Sequence, residues 1–249
     1  MKKYDVNLMM GHWLRHRINI NSENEMMDAL DYFKIDRAVA YHSEARIYSP
    51  PAGNAKILEL SKKHDRIIPC FVVSPHYNFY PGGMAGLKET LMKENIKFAR
   101  IFPKEQGYTL ESGWTKDILN ILKECGINLI LEYNDIFEDK QYERRSFEDL
   151  VEAYPDVNFI LTGVIHRRNM MFYRYISDFP NVYLETSIID NWRFYEETVR
   201  LYGSGRLLWG SYLPFKNAGS SITMLSYADI PESDRENVAY KNLLKMMER

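Results

Sequence analysis

Glu132 closes the apolar run Leu129-Ile130-Leu131, and Arg100 sits inside Phe98-Ala99-Arg100-Ile101-Phe102. A charge in such surroundings is costly to bury unless it is paired. Glu132 therefore has two readings. It is half of an internal ion pair, with Arg100 as the partner to hand, or it is a general acid or base with a shifted pKa. Arg100 either answers Glu132 or forks onto a ligand carboxylate or phosphate, and the two are compatible. His166 is the preferred titratable partner for Glu132, because imidazole exchanges a proton near neutral pH. The structural reading of His166-Arg167-Arg168 is a basic surface turn. His12 and His16 are four apart with Arg15 and Arg17 alongside. On a helix they could share a metal, but no glutamate follows His12 as HExxH requires. A loop over a binding cleft is the better expectation. His42 and His76 each end or follow an apolar run, and either lines the cleft or is structural. His64 ends a helical segment, where a cation interacts well with the helix dipole.

These residues need elements to hold them. Short β-rich runs recur at Tyr4–Met10, Ala38–His42, Ile67–Val73, Phe98–Phe102, Asn128–Tyr133, Asn158–Thr162, Val182–Thr186 and Leu207–Ser211. Between them lie amphipathic stretches. Asn54–His64 carries Ile57, Leu58 and Leu60 on one stripe; Trp114–Glu124 carries Ile118, Leu119 and Leu122; Trp192–Tyr202 carries Phe194, Tyr195, Val199 and Tyr202. Ser146–Tyr154 is also helical in character. Gly126 reads as a helix C-cap, Pro155-Asp156 and Pro180-Asn181 as breaks before strands, and Ser233 with Glu236 as a capping box opening the last helix. Strands alternating with helices imply parallel βαβ units. Eight of them in 249 residues fit a single-domain (β/α)8 barrel, an α/β fold of about 250 residues. The rival, a doubly wound sheet, opens on a glycine-rich turn. Here the first turn is Gly11-His12-Trp13, and neither a GxGxxG nor a P-loop motif occurs, so no nucleotide cofactor is expected.

Composition narrows the partners. A net charge of −2 gives no footprint for nucleic acid. The 14% of aromatic residues are not interleaved with basic ones on one face, so they read as packing. Cys70 and Cys125 form no CxxC pair, and two buried free thiols suit a reducing cytoplasm. No signal-peptide core and no membrane-length apolar stretch is present. The expected partner is a small anionic substrate, in the cytoplasm, with room for a homodimer.

Several phrases carry a resemblance. Asp5-Val6-Asn7-Leu8-Met9-Met10-Gly11 resembles the Asp-x-His-x-His-x-Gly strand that opens amidohydrolase-related barrels. Lys34-Ile35-Asp36-Arg37-Ala38-Val39 resembles their entry into strand two. Ala99-Arg100-Ile101-Phe102-Pro103 resembles the strand-four phrase, Pro180 to Ser187 the "PNVYxDTS" of strand seven, and Arg206 to Pro214 the "RxLFGSDxP" of strand eight. The resemblance implies a metal-dependent hydrolase on a (β/α)8 barrel. It also places the metal ligands, and there the sequence departs. The paired strand-one histidines fall on Asn7 and Met9, the strand-five histidine on Glu132, the strand-six histidine on Thr162 or Gly163, and the strand-eight aspartate on Tyr212. Of these only Glu132 is a good ligand for a hard or borderline cation. No metal is therefore expected, and the metal-bound water of the family does not carry over.

The resulting expectation is a hydrolase or lyase for a small carboxylated molecule, working by acid–base chemistry without metal or other cofactor. Glu132 and His166 would move protons. Asn7, His12, Arg15, His42, Arg100, Arg167 and Tyr212 would contact substrate, Tyr212 alternatively plugging the vacant pocket. Two alternatives stay open. One is a non-catalytic barrel that binds a metabolite or a protein. The other is a hydrolase with a metal site rebuilt from Glu132, His42, His76 or His166.

Overall fold

The computed structural model describes residues 1–137, 141–165 and 170–248, and of their side chains those outside 136–145. Each apolar run forms a strand: β1 Tyr4–Met10, β2 Arg37–His42, β3 Ile67–Val72, β4 Phe98–Ile101, β5 Asn128–Glu132, β6 Phe159–Thr162, β7 Val182–Glu185 and β8 Leu207–Leu208. They lie parallel and in sequence order, with helices between them. The ring is nearly closed: Val6 N–H donates to the Trp209 carbonyl at 3.2 Å and Met9 N–H to that of Leu213 at 3.0 Å. The barrel is the expected one.

Alternate residues of each strand separate two layers. Val39, Tyr41, Cys70, Val72, Phe98, Ile130, Ile160 and Leu208 turn inward. Their neighbours Ala38, Ala40, Phe71, Ala99, Ile101, Leu129, Leu131 and Leu161 pack outward beneath the helices. β1 shifts register against β2 between Asp5 and Leu8, a bulge that lets a polar pair enter the interior.

Helix starts follow local chemistry. α1 (Glu23–Tyr32) opens on a capping box, in which Ser22 and Glu25 satisfy each other's backbone N–H. After the short α2 (Ser43–Ile47), α3 (Pro50–Lys63) starts four residues before the expected Asn54, because Ser49 caps it and Pro50 takes the first position. α4 (Gly83–Lys93) and α5 (Gly113–Cys125) follow; α5 ends on Gly126 at φ 65°, as expected. α6 (Tyr133–Phe137), α7 (Gln141–Ala153), α8 (Met171–Asp178), α9 (Phe194–Tyr202) and α10 (Gly219–Ser226) complete the outer ring. The capping box expected at Ser233 is not formed. α11 (Glu232–Glu236) already contains Ser233, and its N-cap is Pro231 with no side-chain hydrogen bond. A π-turn (Asn237–Lys241) links α11 to α12 (Asn242–Met247). Leu243 and Met246 of α12 join the inner cluster. Asn128 Nδ2 donates to the Met246 carbonyl at 3.3 Å, so α12 seals the end of the barrel opposite the mouth. Cys70 is buried, whereas Cys125 is only partly so. Among the described residues no helix is long and apolar enough to cross a membrane.

Candidate functional site

Arg100 forms the floor of the mouth. Its side chain, only 2% exposed, rises from β4 into the interior. One guanidinium nitrogen donates to Asn7 Oδ1 at 2.9 Å and to Thr162 Oγ1 at 3.2 Å. The guanidinium carbon lies 4.9 Å from the Tyr41 ring centroid, a cation–π distance. Its Nε is buried with no hydrogen-bond partner among the described residues. Among the described residues no carboxylate meets Arg100 directly. The link runs through Asn7, whose Nδ2 donates to Glu185 Oε2 at 3.1 Å. Burial, with the Asp5 carboxylate nearby, pushes Glu185 up to about 7. Burial also raises Asp5, although Asn7 N–H and Ser211 N–H donate to its Oδ1 at 2.8 and 3.0 Å.

Glu132 is paired, but not with Arg100. On the β4–β5 ladder Arg100 lies opposite Ile130, so Glu132 stands two residues, roughly 7 Å, nearer the mouth. Its partner is Arg46 of α2, a residue the sequence does not single out. Arg46 forks onto Glu132 with Nη1–Oε1 at 2.7 Å and Nη2–Oε2 at 3.1 Å. Its Nε donates to Glu105 Oε2 at 2.5 Å and Nη1 to the Tyr41 hydroxyl at 3.3 Å. The guanidinium carbon sits 4.2 Å from the Phe102 ring centroid. Arg15 reaches the same Glu105 from the loop after β1. An arginine flanked by two carboxylates, an aromatic face and a phenol is held in one place.

A second acidic residue escapes the sequence reading. Asp135, on α6 three residues beyond Glu132, has its Oδ2 buried with no hydrogen-bond partner among the described residues. Burial, with Glu132 and Glu105 adding to it, pushes its carboxyl up to about 7 against the pull of Arg46 and Arg100. The available signal was spacing: one helical turn separates it from a glutamate that ends a barrel strand.

The remaining candidates divide. Tyr212 lies at the mouth with φ 58°; burial, then Glu132 and Tyr41, pushes its phenol up to about 12. Thr162 rather than Gly163 occupies the strand-six position, opposite Glu132 on the β5–β6 ladder. His12 is exposed. His76, also exposed, lines an open cleft of about 310 Å³ at the rim with Arg15, Arg46 and Glu105. His42 does not join the site. It pairs in register with outward-facing Met10, accepts from Glu44 N–H at 3.2 Å as the α2 cap, and borders an outer groove with Glu23 and Lys56. Glu132 and His42 therefore cannot converge on one metal. His166 and Arg167 lie outside the described residues.

The residues at the ligand positions implied by the resemblance do not fit a metal ion. Asn7 accepts through Oδ1 and donates through Nδ2. Thr162 Oγ1 accepts from Arg100 and donates to the Leu131 carbonyl at 3.2 Å. Met9 is packed in the inner cluster, and both Glu132 oxygens face Arg46. Arg100 fills the space between Asn7 and Thr162 with a positive charge, which disfavours a divalent cation there.

No protein-family model matches the sequence, and no curated protein does either. Solved structures match in fold. An uncharacterised TIM-barrel protein from Bordetella bronchiseptica superposes with a TM-score of 0.76 at 13% identity, covering 100% of both chains. A protein described as an amidohydrolase from Staphylococcus aureus gives 0.71 at 12% identity, again over 100% of both chains. A 5-carboxyvanillate decarboxylase from Novosphingobium aromaticivorans, with bound manganese and 3-methoxy-4-hydroxy-5-nitrobenzoic acid, gives 0.73 at 13% identity over 100% of this chain and 97% of that one. Over its whole length the chain has the (β/α)8 fold of these proteins.

Proposed function

We propose that this protein is a lyase or hydrolase acting on a small carboxylated molecule, by acid–base chemistry that draws its positive charge from Arg100 instead of a metal. The observation that carries the reading is the place of the Arg100 guanidinium, buried between Asn7 and Thr162. A buried guanidinium attracts a carboxylate and meets it through a planar fork. The fold neighbours include a decarboxylase with a bound nitrobenzoic acid, which supports a carboxylated substrate. Arg100 would orient the substrate carboxylate and stabilise negative charge as a bond breaks. Asn7, tied to Glu185, holds Arg100 in place. Glu132, held by the Arg46 fork, forms a fixed ion pair in the wall of the mouth.

The test is a thermal-shift screen of small mono- and dicarboxylates, with product analysis on each compound that stabilises the protein. The reading expects stabilisation that disappears in Arg100→Gln, with turnover that survives dialysis against a chelator. Stabilisation that persists in Arg100→Gln, or turnover lost on dialysis and restored by manganese, overturns it. Binding without turnover favours the second reading, a barrel that binds a metabolite without converting it. One observation supports that alternative: the Arg46 fork already occupies both oxygens of Glu132.

A further inference from the structure

Two carboxyl groups stand one helical turn apart at the end of β5, and their surroundings differ. Glu132 is engaged on both oxygens by the Arg46 fork. Asp135 has a buried Oδ2 that no described group meets. The groups facing Asp135 are Glu132 from β5, Arg46 from α2, Arg100 from β4, Glu105 from the segment after β4, and the phenol of Tyr108. The Tyr108 hydroxyl is likewise buried with no partner among the described residues. Buried polar atoms are nearly always satisfied, so two orphans close enough to influence each other's charge mark where a ligand or water atom belongs. They follow the C-terminal ends of β5 and β4 at the mouth, where (β/α)8 barrels carry their chemistry.

We propose that Asp135 carries the exchangeable proton of this site, with Glu132 and Arg46 as the fixed pair beside it. The inference rests on the mouth being a carboxylate site. Two carboxyls in different surroundings take different roles: one is tied on both oxygens by a guanidinium, and the other, buried without a partner among the described residues, can hold a proton near neutral pH. The bond between the substrate carbon and its carboxylate breaks and carbon dioxide leaves; the electron pair stays on carbon and takes the proton of Asp135 Oδ2. Water then reprotonates the Asp135 carboxylate, and its hydroxide departs with the carbon dioxide as bicarbonate.

The experiment uses the full chain with benzoate as probe. Carbon-13 NMR of protein labelled at the aspartate carboxyls follows titration from pH 5 to 9, with Asp135→Asn, or Asp135→Ala if that variant fails to fold, assigning the resonance. Calorimetry measures benzoate affinity over the same range. The expected result is a carboxyl that titrates near neutrality and is missing from the variant. Benzoate affinity should fall about tenfold between pH 6 and 8 in the wild type, as Asp135 becomes charged, and fall clearly less in the variant, where Glu185 still titrates. An Asp135 resonance titrating in the ordinary carboxylate range, or an equal fall in affinity in the variant, overturns the proposal. Benzoate binding undiminished in Arg100→Gln overturns the underlying reading instead. The two failures are distinct because the NMR titration needs no ligand.

Discussion

The charged residues of the mouth sit on connected hydrogen bonds, and their substitutions should be unequal. Arg46 is 12% exposed and Glu132 16%, so removing Arg46 strands a largely buried carboxylate. Arg46→Ala should cost about 2–4 kcal/mol in chemical denaturation. Arg46→Lys should recover only part of it, since an ammonium cannot fork onto both oxygens. Glu185 gives a pH signature. Its carboxyl is pushed up to about 7 in the fold, against about 4.3 in an unfolded chain. Between those values the folded state binds the extra proton, so the Glu185 contribution to stability is fullest below about pH 4 and is lost as pH rises through 7. The loss is on the order of 3 kcal/mol. Glu185→Gln should flatten this trend, with Tm changing less between pH 5 and 8 than in the wild type. An equally steep wild-type and variant profile would assign the effect elsewhere.

Elements set where those residues stand. α2 has five residues, too few to hold itself as a helix. It is clamped by α3 through Gly53, where an added Cβ would come within 2.5 Å of Ala45 Cα. Ala45 precedes Arg46, so this close approach aims the guanidinium at Glu132. Gly53→Ala should push α2 outward, lower the unfolding free energy by about 1–3 kcal/mol, and weaken benzoate binding. A variant destabilised with unchanged binding would separate the clamp from the site. The strand ends also carry a lesson. The run Leu207–Ser211 reads as a strand, but β8 is only Leu207–Leu208. Beyond it Ser211 turns to donate to buried Asp5, and Tyr212 takes φ 58° to enter the mouth. The side-chain demands of the mouth override the β propensity there.

At the scale of the molecule the two ends of the barrel divide the work. α12 closes one end with Leu243, 1% exposed, and Met246, 3% exposed, packed under the inner cluster. Leu243→Ala should cost about 2–4 kcal/mol by cavity formation while leaving benzoate affinity at the other end within twofold. Loss of binding beyond the loss of folded protein would show that the ends are coupled. The whole-chain match to barrels at 10–13% identity fits this division. Packing layers tolerate replacement of apolar residues by others of similar volume, so the scaffold can persist while the residues at the mouth change.

The eight strands and their barrel arrangement were written in the sequence, because burial on both sides of a parallel strand demands apolar runs of limited length. Arg100 and Glu132 stood out for the same reason, as charges inside such runs. Their pairing was not legible. It depends on a two-residue offset along neighbouring strands and on a third residue, Arg46, delivered by a helix that only α3 holds in place. His42 shows the same limit: one residue of register turns it from the mouth to the outer groove. Asp135 lay in a segment with no apolar frame to make its charge conspicuous. Tertiary structure decided these contacts because they join residues far apart in the chain, and local sequence carries no information on distances between them.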